Sequence, residues 1–234
     1  MNEHAVEPTG TGRPPTEVEL ILRALLYRLR QGCTWRALSI FAPHTTIYTR
    51  WKEWCLAGIW EKVFAMLACN PKGKLWAIDA SCVKVHKHGF GGVGGLEYQC
   101  IRKTKGGWNT KIHALGDSRG RPIKLLLGAG NRHDVLSAPD LVEGQTGRHI
   151  LADKAYDSDE FRRLLDELGL KACIPPKANR KTPASYHKGY YRHRHHVENL
   201  FQRLKEYRGI SSRYEKLAER FLAFVSLAAI TLWL

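Results

Sequence analysis

The sequence predicts an α/β protein: a mixed sheet with helices, preceded by a small all-α region. Three observations predict this class. Apolar residues recur at helical spacing from Glu17 to Leu67. Extended apolar runs bounded by glycine and proline begin at Leu75. From residue 134 onward, extended and helical patterns alternate, which is typical of sheets covered by helices. The apolar share of 44% in 234 residues is sufficient for a large core.

The composition restricts the partner and the compartment. The formal net charge is +15, from 37 Lys and Arg against 22 Asp and Glu. An excess of this size is typical of proteins that bind a polyanion, most often nucleic acid, although a merely cationic protein has it too. Six widely spaced cysteines without a C-x-x-C pair indicate reduced thiols in a cytoplasmic protein. The apolar run 221–234 is too short to span a bilayer, so we expect no membrane partner.

The first 70 residues divide into a leader and a helical region. Residues 1–15, with three prolines and two glycines, are predicted to be a disordered leader. Residues 16–70 are predicted to form three or four short helices, resembling a helix-turn-helix module that binds DNA. Its third helix, 45–55, carries the candidate DNA contacts Arg50 and Lys52. A plain helical bundle would show nearly the same pattern.

Residues 74–234 are predicted to form the second domain, after a boundary at Asn70–Lys74. The extended and helical segments follow in a definite order, which is three strands in a meander, a helix, a strand, a helix, a strand and a long helix. The five predicted strands are 75–85, 111–115, 122–127, 148–152 and 171–175. This is the element order of a ribonuclease H-like fold with a mixed five-stranded sheet.

Three carboxylates are predicted to converge in this domain. Asp79 lies in the middle of the first apolar strand, Asp153 ends the fourth strand, and Glu198 lies on the long helix. If the two strands are adjacent, the aspartates are close and the helix packs across them. Three such carboxylates suit Mg²⁺, which prefers oxygen ligands. The alternatives are a backbone-bonded Asp79, an Asp153 that caps a turn, and a Glu198 in a surface ion pair. Asp117 and Asp134 are rivals that local capping explains.

Cations surround the predicted site. On a helix, Tyr191, Arg194, Glu198 and Lys205 fall within an arc of about 60°. Arg194 and Lys205 lie about 6 Å and 10.5 Å from Glu198 along the axis, which suits contacts with DNA phosphates rather than with the metal ligands. The alternative is that both merely pair with Glu198 or remain solvated. The basic loop before this helix adds further candidate phosphate contacts, namely Lys177, Arg180 and Lys181.

Three runs of residues carry a family resemblance. They are Ala77-Ile-Asp79-Ala-Ser, Leu151-Ala-Asp153-Lys-Ala-Tyr-Asp, and His196-Val-Glu198-Asn-Leu-Phe. Together they resemble the DDE transposases of bacterial insertion sequences, in particular the IS-five class. The spacing of Tyr191, Arg194, Glu198 and Lys205 matches the pattern of that class at every position. The runs Thr110-Lys-Ile-His and Arg208-Gly-Ile-Ser-Ser-Arg-Tyr-Glu-Lys are also similar to it.

The resemblance implies a ribonuclease H-like core, with Asp79, Asp153 and Glu198 as catalytic and metal-binding residues. It implies cleavage and strand transfer at element ends, dependent on Mg²⁺ with Mn²⁺ as a substitute. The expected partners are double-stranded DNA, both terminal inverted repeats and target, and further copies of the chain assembled on it. Such a protein would be cytoplasmic and nucleoid-associated. The alternatives are a nuclease of the same fold that does not join ends, and a catalytically silent DNA-binding relic of a transposase.

Overall fold

The computed structural model describes residues 14–234, so all but the last two residues of the predicted leader lie outside the described part. Ten α-helices occur in this range. They are α1 Val18–Gln31, α2 His44–Leu56, α3 Ile59–Ala68, α4 Gly95–Tyr98, α5 Ala138–Val142, α6 Asp159–Glu167, α7 Lys188–Tyr191, α8 His195–Lys205, α9 Arg208–Ser211 and α10 Ala218–Thr231. Seven strands complete the described residues. They are β1 Leu75–Val85, β2 Arg102–Thr104, β3 Gly107–Gly116, β4 Pro122–Ala129, β5 His149–Leu151, β6 Lys171–Cys173 and β7 Ser212–Arg213.

The N-terminal helices confirm the helical prediction. α1 ends at Gly32, whose left-handed backbone (φ 63°) lets its N–H donate to the Arg28 carbonyl. A 3₁₀ helix, Trp35–Ile40, follows where a short helix was expected. Gly58, again left-handed, allows the tight turn from α2 into α3. The helix-turn-helix interpretation of this region stays a prediction.

The sheet is mixed and is built around β1 and β3. These two strands pair antiparallel from Ala77 to Lys84, while β4 and β2 pair with the other side of β3. β5 pairs parallel with the start of β1, and β6 pairs parallel with β5. All five predicted strands are present, but the sheet has seven. β2 and β7, with three and two residues, are too short to show an alternating pattern in the sequence.

Helices cover both faces of the sheet. One face packs against α8, α10 and the N-terminal helices, and the other packs against α5 and α6. α10 is buried along most of its length, as its apolar sequence predicts. In residues 14–234 no helix has both the length and the apolar character needed to cross a bilayer. The fold class is therefore the predicted one, a ribonuclease H-like α/β core with α-helices before it.

The N-terminal helices and the sheet domain share one hydrophobic core. Trp51 of α2 is fully buried and stacks on Phe224 of α10, with ring centroids 4.0 Å apart. Trp60 of α3 lies 5.5 Å from the Trp51 ring. These aromatic residues are core, so they cannot stack on bases. The domain division at residues 70–74 stays a prediction, and contacts of this kind hold the two regions together.

The long helix expected before Lys205 is interrupted. α7 is followed by a 3₁₀ turn, Arg192–Arg194, and only then by α8. Four residues of α8 are buried and form its apolar stripe, namely Val197, Leu200, Phe201 and Leu204. Because α8 contacts both β1 and β3, its polar side lies beside the middle of β1. This packing brings Glu198 to the side of β1 that holds Asp79, and Arg194 links the two carboxylates.

Candidate active site

The parallel register of β1 and β5 brings Asp79 and Asp153 level with each other. Ala77 is the partner of Leu151, and each aspartate comes two residues after its member of that pair. Neighbouring strands lie about 4.8 Å apart. β5 ends at Leu151, and the chain turns away through a 3₁₀ helix, 154–156, whose Ala155 N–H donates to the Asp153 carboxylate at 2.8 Å. Asp153 therefore caps a turn, and its charge lies close enough to Asp79 to raise the pKa of that residue.

Asp79 is held in a half-buried position, with its side chain 21% exposed. The Ala80 N–H donates to its Oδ1 at 2.8 Å. Burial raises the pKa of Asp79 above its ordinary value, against the lowering effects of the Ala80 N–H and of Arg194, and the charge of Asp153 raises the pKa further. Burial is the main cause of this rise, and the contribution of Asp153 shows that its charge lies close to Asp79.

Arg194 joins Asp79 to Glu198. One guanidinium nitrogen donates to Asp79 Oδ2 at 2.8 Å, and the other donates to Glu198 Oε1. The expectation that Arg194 lies too far from the metal ligands to contact them is therefore wrong. Arg194 and Glu198 are one helical turn apart, a spacing at which the two side chains meet on one face, and the guanidinium also reaches across to Asp79. Glu198 itself is half exposed, with 47% of its side chain accessible.

The other two members of the helix pattern lie on either side of these groups. Lys205 Nζ donates to the Cys82 carbonyl of β1 at 3.0 Å, three residues beyond Asp79. Tyr191 is half-buried, and its ring lies 5.5 Å from that of Tyr186. Arg194 and Lys205 thus both contact β1, but Lys205 is attached to its backbone and contacts no carboxylate within residues 14–234.

The basic loop before α7 does not present all its cations to solvent. Arg180 pairs with the fully buried Asp157 at 3.0 Å and also with Asp159. Although burial alone would raise the pKa of Asp157, the Lys177 N–H and Arg162 hold it below its ordinary value. Arg180 therefore anchors the loop. The side chains of Lys177 and Lys181 are exposed, so these two stay candidate phosphate contacts.

The candidate DNA contacts of the N-terminal region lie far along the chain from this site. Arg50 and Lys52 are both exposed on α2. Arg50 pairs with Glu53 one helical turn away at 3.1 Å, an exposed contact that contributes little to stability. No contact joins them to the three carboxylates in the part of the chain that the structure describes. Their role in binding DNA stays a prediction.

The rival carboxylates are occupied by local contacts. Asp117 accepts from the N–H groups of Arg119 and Arg121 and from the Arg121 side chain, as expected of a hairpin turn. The prediction that Asp134 caps a helix is wrong. Its Oδ1 accepts from Lys111 Nζ of β3 at 2.7 Å, because β3 lies beside the start of that helix.

Two buried residues were missed from the sequence, and one of them, Tyr156, lies near the site. The Tyr156 hydroxyl is buried and has no hydrogen-bond partner among residues 14–234. Burial, together with the nearby charges of Asp134, Asp79 and Asp153, raises the pKa of Tyr156 far above its ordinary value. Arg213 of β7 is fully buried and donates to the Thr110 hydroxyl. Both lie in runs that carry the family resemblance, and that was the only signal available for them.

The donor set of the site fits a divalent cation of the oxygen-binding kind. Asp79, Asp153 and Glu198 supply only carboxylate oxygens, which suit Mg²⁺ or Mn²⁺ rather than the softer metals. Asp79 and Glu198 already share one cation, the Arg194 guanidinium. Within residues 14–234 no three His, Cys, Asp or Glu side chains are close enough together to enclose an ion. The carboxylate oxygens fit the ion chemically. For all three residues to bind one ion, Glu198 would have to leave Arg194.

Two family models match the chain. The model of the transposase DDE domain matches residues 70–234, which include all three carboxylates. A second model, described for transposases of the IS4/5 family, matches residues 1–64. The two matches together cover nearly the whole chain, and DDE transposase domains in general depend on divalent metal ions.

Similar proteins agree with these matches. A protein of Brucella ovis, named as a transposase for insertion sequence element IS6501, is 37% identical over 128 residues, which is 53% of this chain and 98% of that protein. A Burkholderia cepacia protein, named for element IS402, is 28% identical over 130 residues, or 50% of this chain and 59% of its own length.

Among solved structures, the piggyBac transposase in a synaptic complex with hairpin DNA has a similar fold. Its TM-score is 0.50 at 15% identity, and the match covers 83% of this chain and 51% of that one. At this identity the likeness concerns the fold alone. The family matches and the similarity to the Brucella protein are specific, and the chain belongs to the DDE transposase family of bacterial insertion sequences.

Proposed function

We propose that this protein cuts DNA at the ends of an insertion sequence and joins the cut ends to target DNA, using Mg²⁺. The observation that carries the proposal is the placement of Asp79 on β1 and of Asp153 just past the end of the adjacent parallel strand β5, with Glu198 linked to Asp79 through Arg194. Two divalent ions held by these carboxylates would activate a water or a 3′-hydroxyl and stabilise the leaving oxygen during phosphoryl transfer. The bacterial chromosome, in the cytoplasm, supplies both kinds of DNA.

The chain's own residues position the reaction. The backbone N–H groups of Ala80 and Ala155 orient the carboxylates of Asp79 and Asp153. Tyr191, Arg194 and Lys205 follow one side of the site along β1 and supply the phenol and cations that contact the phosphates of a bound strand. The DNA partners are the terminal inverted repeats and the target duplex. The active form is a homo-oligomer assembled on them, because two ends must be processed together.

A cleavage and joining assay tests this proposal. The full chain is incubated with a labelled duplex that carries one inverted-repeat end and with a supercoiled target plasmid. We expect cleavage and joined product with Mg²⁺ or Mn²⁺, and neither with EDTA, because without the ion the attacking oxygen is not activated and the leaving oxygen is not stabilised. Cleavage without joining would identify a nuclease of the same fold. Binding without cleavage in either metal would identify a silent DNA-binding protein.

Replacement of Arg194 by alanine should tighten Mg²⁺ binding in the absence of DNA. In the present arrangement the guanidinium occupies Asp79 and Glu198, so an incoming ion must compete with it. Partly exposed ion pairs are worth up to about 1 kcal/mol, which corresponds to roughly fivefold in affinity. Mg²⁺ affinity would be measured by calorimetry and from the rise in Tm with added ion.

Arg192→Ala is the matched control, because Arg192 is exposed in the same 3₁₀ turn and pairs with no carboxylate within residues 14–234. Equal Mg²⁺ affinity in wild type and Arg194→Ala would show that the guanidinium does not compete. Arg194→Ala should also lose strand transfer from pre-cleaved ends, even at saturating Mg²⁺. In the wild type, the Arg194 side chain is released from the carboxylates by the ion and contacts phosphate, and the variant lacks this contact. Full rescue of transfer by excess Mg²⁺ would contradict the phosphate contact.

A further inference from the structure

A groove of about 700 Å³ opens away from the three carboxylates. It lies between the N-terminal helices and the far end of β1, and segments 33–36, 44–48, 86–88 and 214–217 line it. His86, on its wall, follows Asp79 by seven residues. Since an extended strand rises about 3.3 Å per residue, the groove begins roughly 23 Å from Asp79. Its volume is within the range of about 300–1,000 Å³ found for ligand pockets.

The charge of the groove is positive. Four of its lining residues are Arg or Lys, and one, Glu215, is acidic. Glu215 is neutralised by Arg28 at 2.6 Å. Arg36 and Lys216 are exposed, and neither pairs with a carboxylate in the described part of the chain. His88, also exposed, adds a third group that can carry positive charge. A ligand of this groove therefore carries negative charge.

Aromatic rings line the same groove. Trp35 and Tyr48 pack edge to face with centroids 5.0 Å apart, and His86 lies 4.9 Å from Tyr214 on the other wall. All four are half-buried, and since the Arg28 guanidinium already lies over the Trp35 ring at 4.2 Å, the rings left for stacking are those of Tyr48, His86 and Tyr214. Binding of free phosphate would use only the cations and leave the aromatic rings without a role. Duplex DNA would not use the rings either, because its base faces are stacked inside the helix. Aromatic rings interleaved with cations are typical of sites that bind unpaired nucleic acid strands.

We propose that this groove binds an unpaired segment of the DNA strand that flanks the cleavage site. The proposal rests on the transposase function, since it is the DNA held at Asp79 and Glu198 that would continue into the groove. Lys205, bonded to the Cys82 carbonyl, lies between the two places along β1. A stacked strand advances about 3.4 Å per nucleotide, so the roughly 23 Å to the groove corresponds to about seven nucleotides.

Binding of the full chain to labelled duplexes in EDTA tests this proposal without cleavage. All duplexes carry the same inverted-repeat end. Some are blunt, and the others are extended on one strand or the other by about 2 or about 10 unpaired thymidines. The shorter extension cannot reach the groove, and the longer one can. We expect the longer extension on one strand to bind more tightly than the blunt end, and the shorter one to give no gain. Loss of one stacked base corresponds to about 5- to 150-fold in affinity. Tyr214→Leu, which removes the ring, should therefore abolish much of the gain in affinity from the longer extension. Tyr214→Phe keeps the ring and should retain this gain.

The double variant Arg36→Gln/Lys216→Gln tests the groove without a core substitution. It should lower the gain from the longer extension and reduce the salt dependence of binding by about 0.7 for each lost phosphate contact. The matched control is Arg163→Gln/Lys171→Gln, which removes the same charge from exposed positions on α6 and β6. The control should retain the gain.

Four results would overturn the proposal. The first is no gain in affinity from the longer extension. The others are an equal loss of affinity of a groove variant for blunt and extended duplexes, an equal loss in the control variant, and tighter binding of an RNA extension than of the DNA extension. Each differs from a failure of the transposase function. If Mg²⁺-dependent cleavage of the blunt substrate persists while the extension gives no gain, only the groove assignment is wrong.

Discussion

Asp79→Asn, Asp153→Asn and Glu198→Gln should each slow DNA cleavage by roughly 1,000-fold while the protein still folds and binds DNA. Each change keeps the side-chain shape but removes one charged oxygen from the cation site. The loss of several kcal/mol of transition-state stabilisation corresponds to a factor of this size. Cleavage rates of single-end duplexes in Mg²⁺, with binding measured in EDTA, give the two quantities separately.

The matched controls are Asp166→Asn and Glu167→Gln, which make the same chemical changes at exposed positions of α6. Both should cut at the wild-type rate. Because the three carboxylates act as a unit, a double variant of Asp79 and Asp153 should be about as slow as either single variant. A variant of one carboxylate that cuts at nearly the wild-type rate would remove that residue from the site.

Arg213→Leu should lower the stability of the fold by about 4 kcal/mol. Arg213 is fully buried, and burial lowers its pKa to about 10, so it remains charged at neutral pH. Its guanidinium donates to the Thr110 hydroxyl and the Gln99 carbonyl at 2.7 Å, and to the carbonyls of Glu215 and Lys216. Leucine would leave these buried acceptors without a donor, at about 1–3 kcal/mol for each one that water cannot reach.

Thermal unfolding followed by circular dichroism measures this loss. In a chain of this length, about 4 kcal/mol corresponds to a fall in Tm of roughly 8–16 °C. Arg163→Leu, on the exposed side of α6, removes the same charge and should leave Tm nearly unchanged. A similar Tm for Arg213→Leu and the control would mean that water satisfies the four acceptors.

Much of the site could be predicted from the sequence because its groups lie on regular elements. An aspartate in the middle of an apolar strand, another at the end of a later strand and a glutamate beside an apolar helix stripe are local patterns. The strands β1 and β5 and the helix α8 formed at the expected places. The strand order of the fold then places Asp79 and Asp153 close to each other, and Arg194 links Asp79 to Glu198. The roles of the three carboxylates in catalysis stay predictions until the variants are assayed.

The contacts of the cations could not be predicted, because they depend on side chains that are distant in the sequence. Spacing along a helix placed Arg194 correctly beside Glu198, but Asp79, its second partner, is 115 residues away. Arg180 was expected to face DNA, yet the buried charge of Asp157 binds it. An exposed lysine and a paired arginine look alike in a sequence, because burial and pairing are properties of the packed chain.

The sequence by itself determined the element order, the hydrophobic face of each helix and strand, and the positions of the three carboxylates on them, because these depend on local periodicity. Only the tertiary structure decided which distant groups meet. Thr110 and Arg213 belong to two runs that each resembled the family separately, and folding joins them in one buried hydrogen bond. The register of β1 with β5 likewise levels Asp79 with Asp153. Strand register and side-chain pairing are set by how the whole core packs, and no local pattern encodes them.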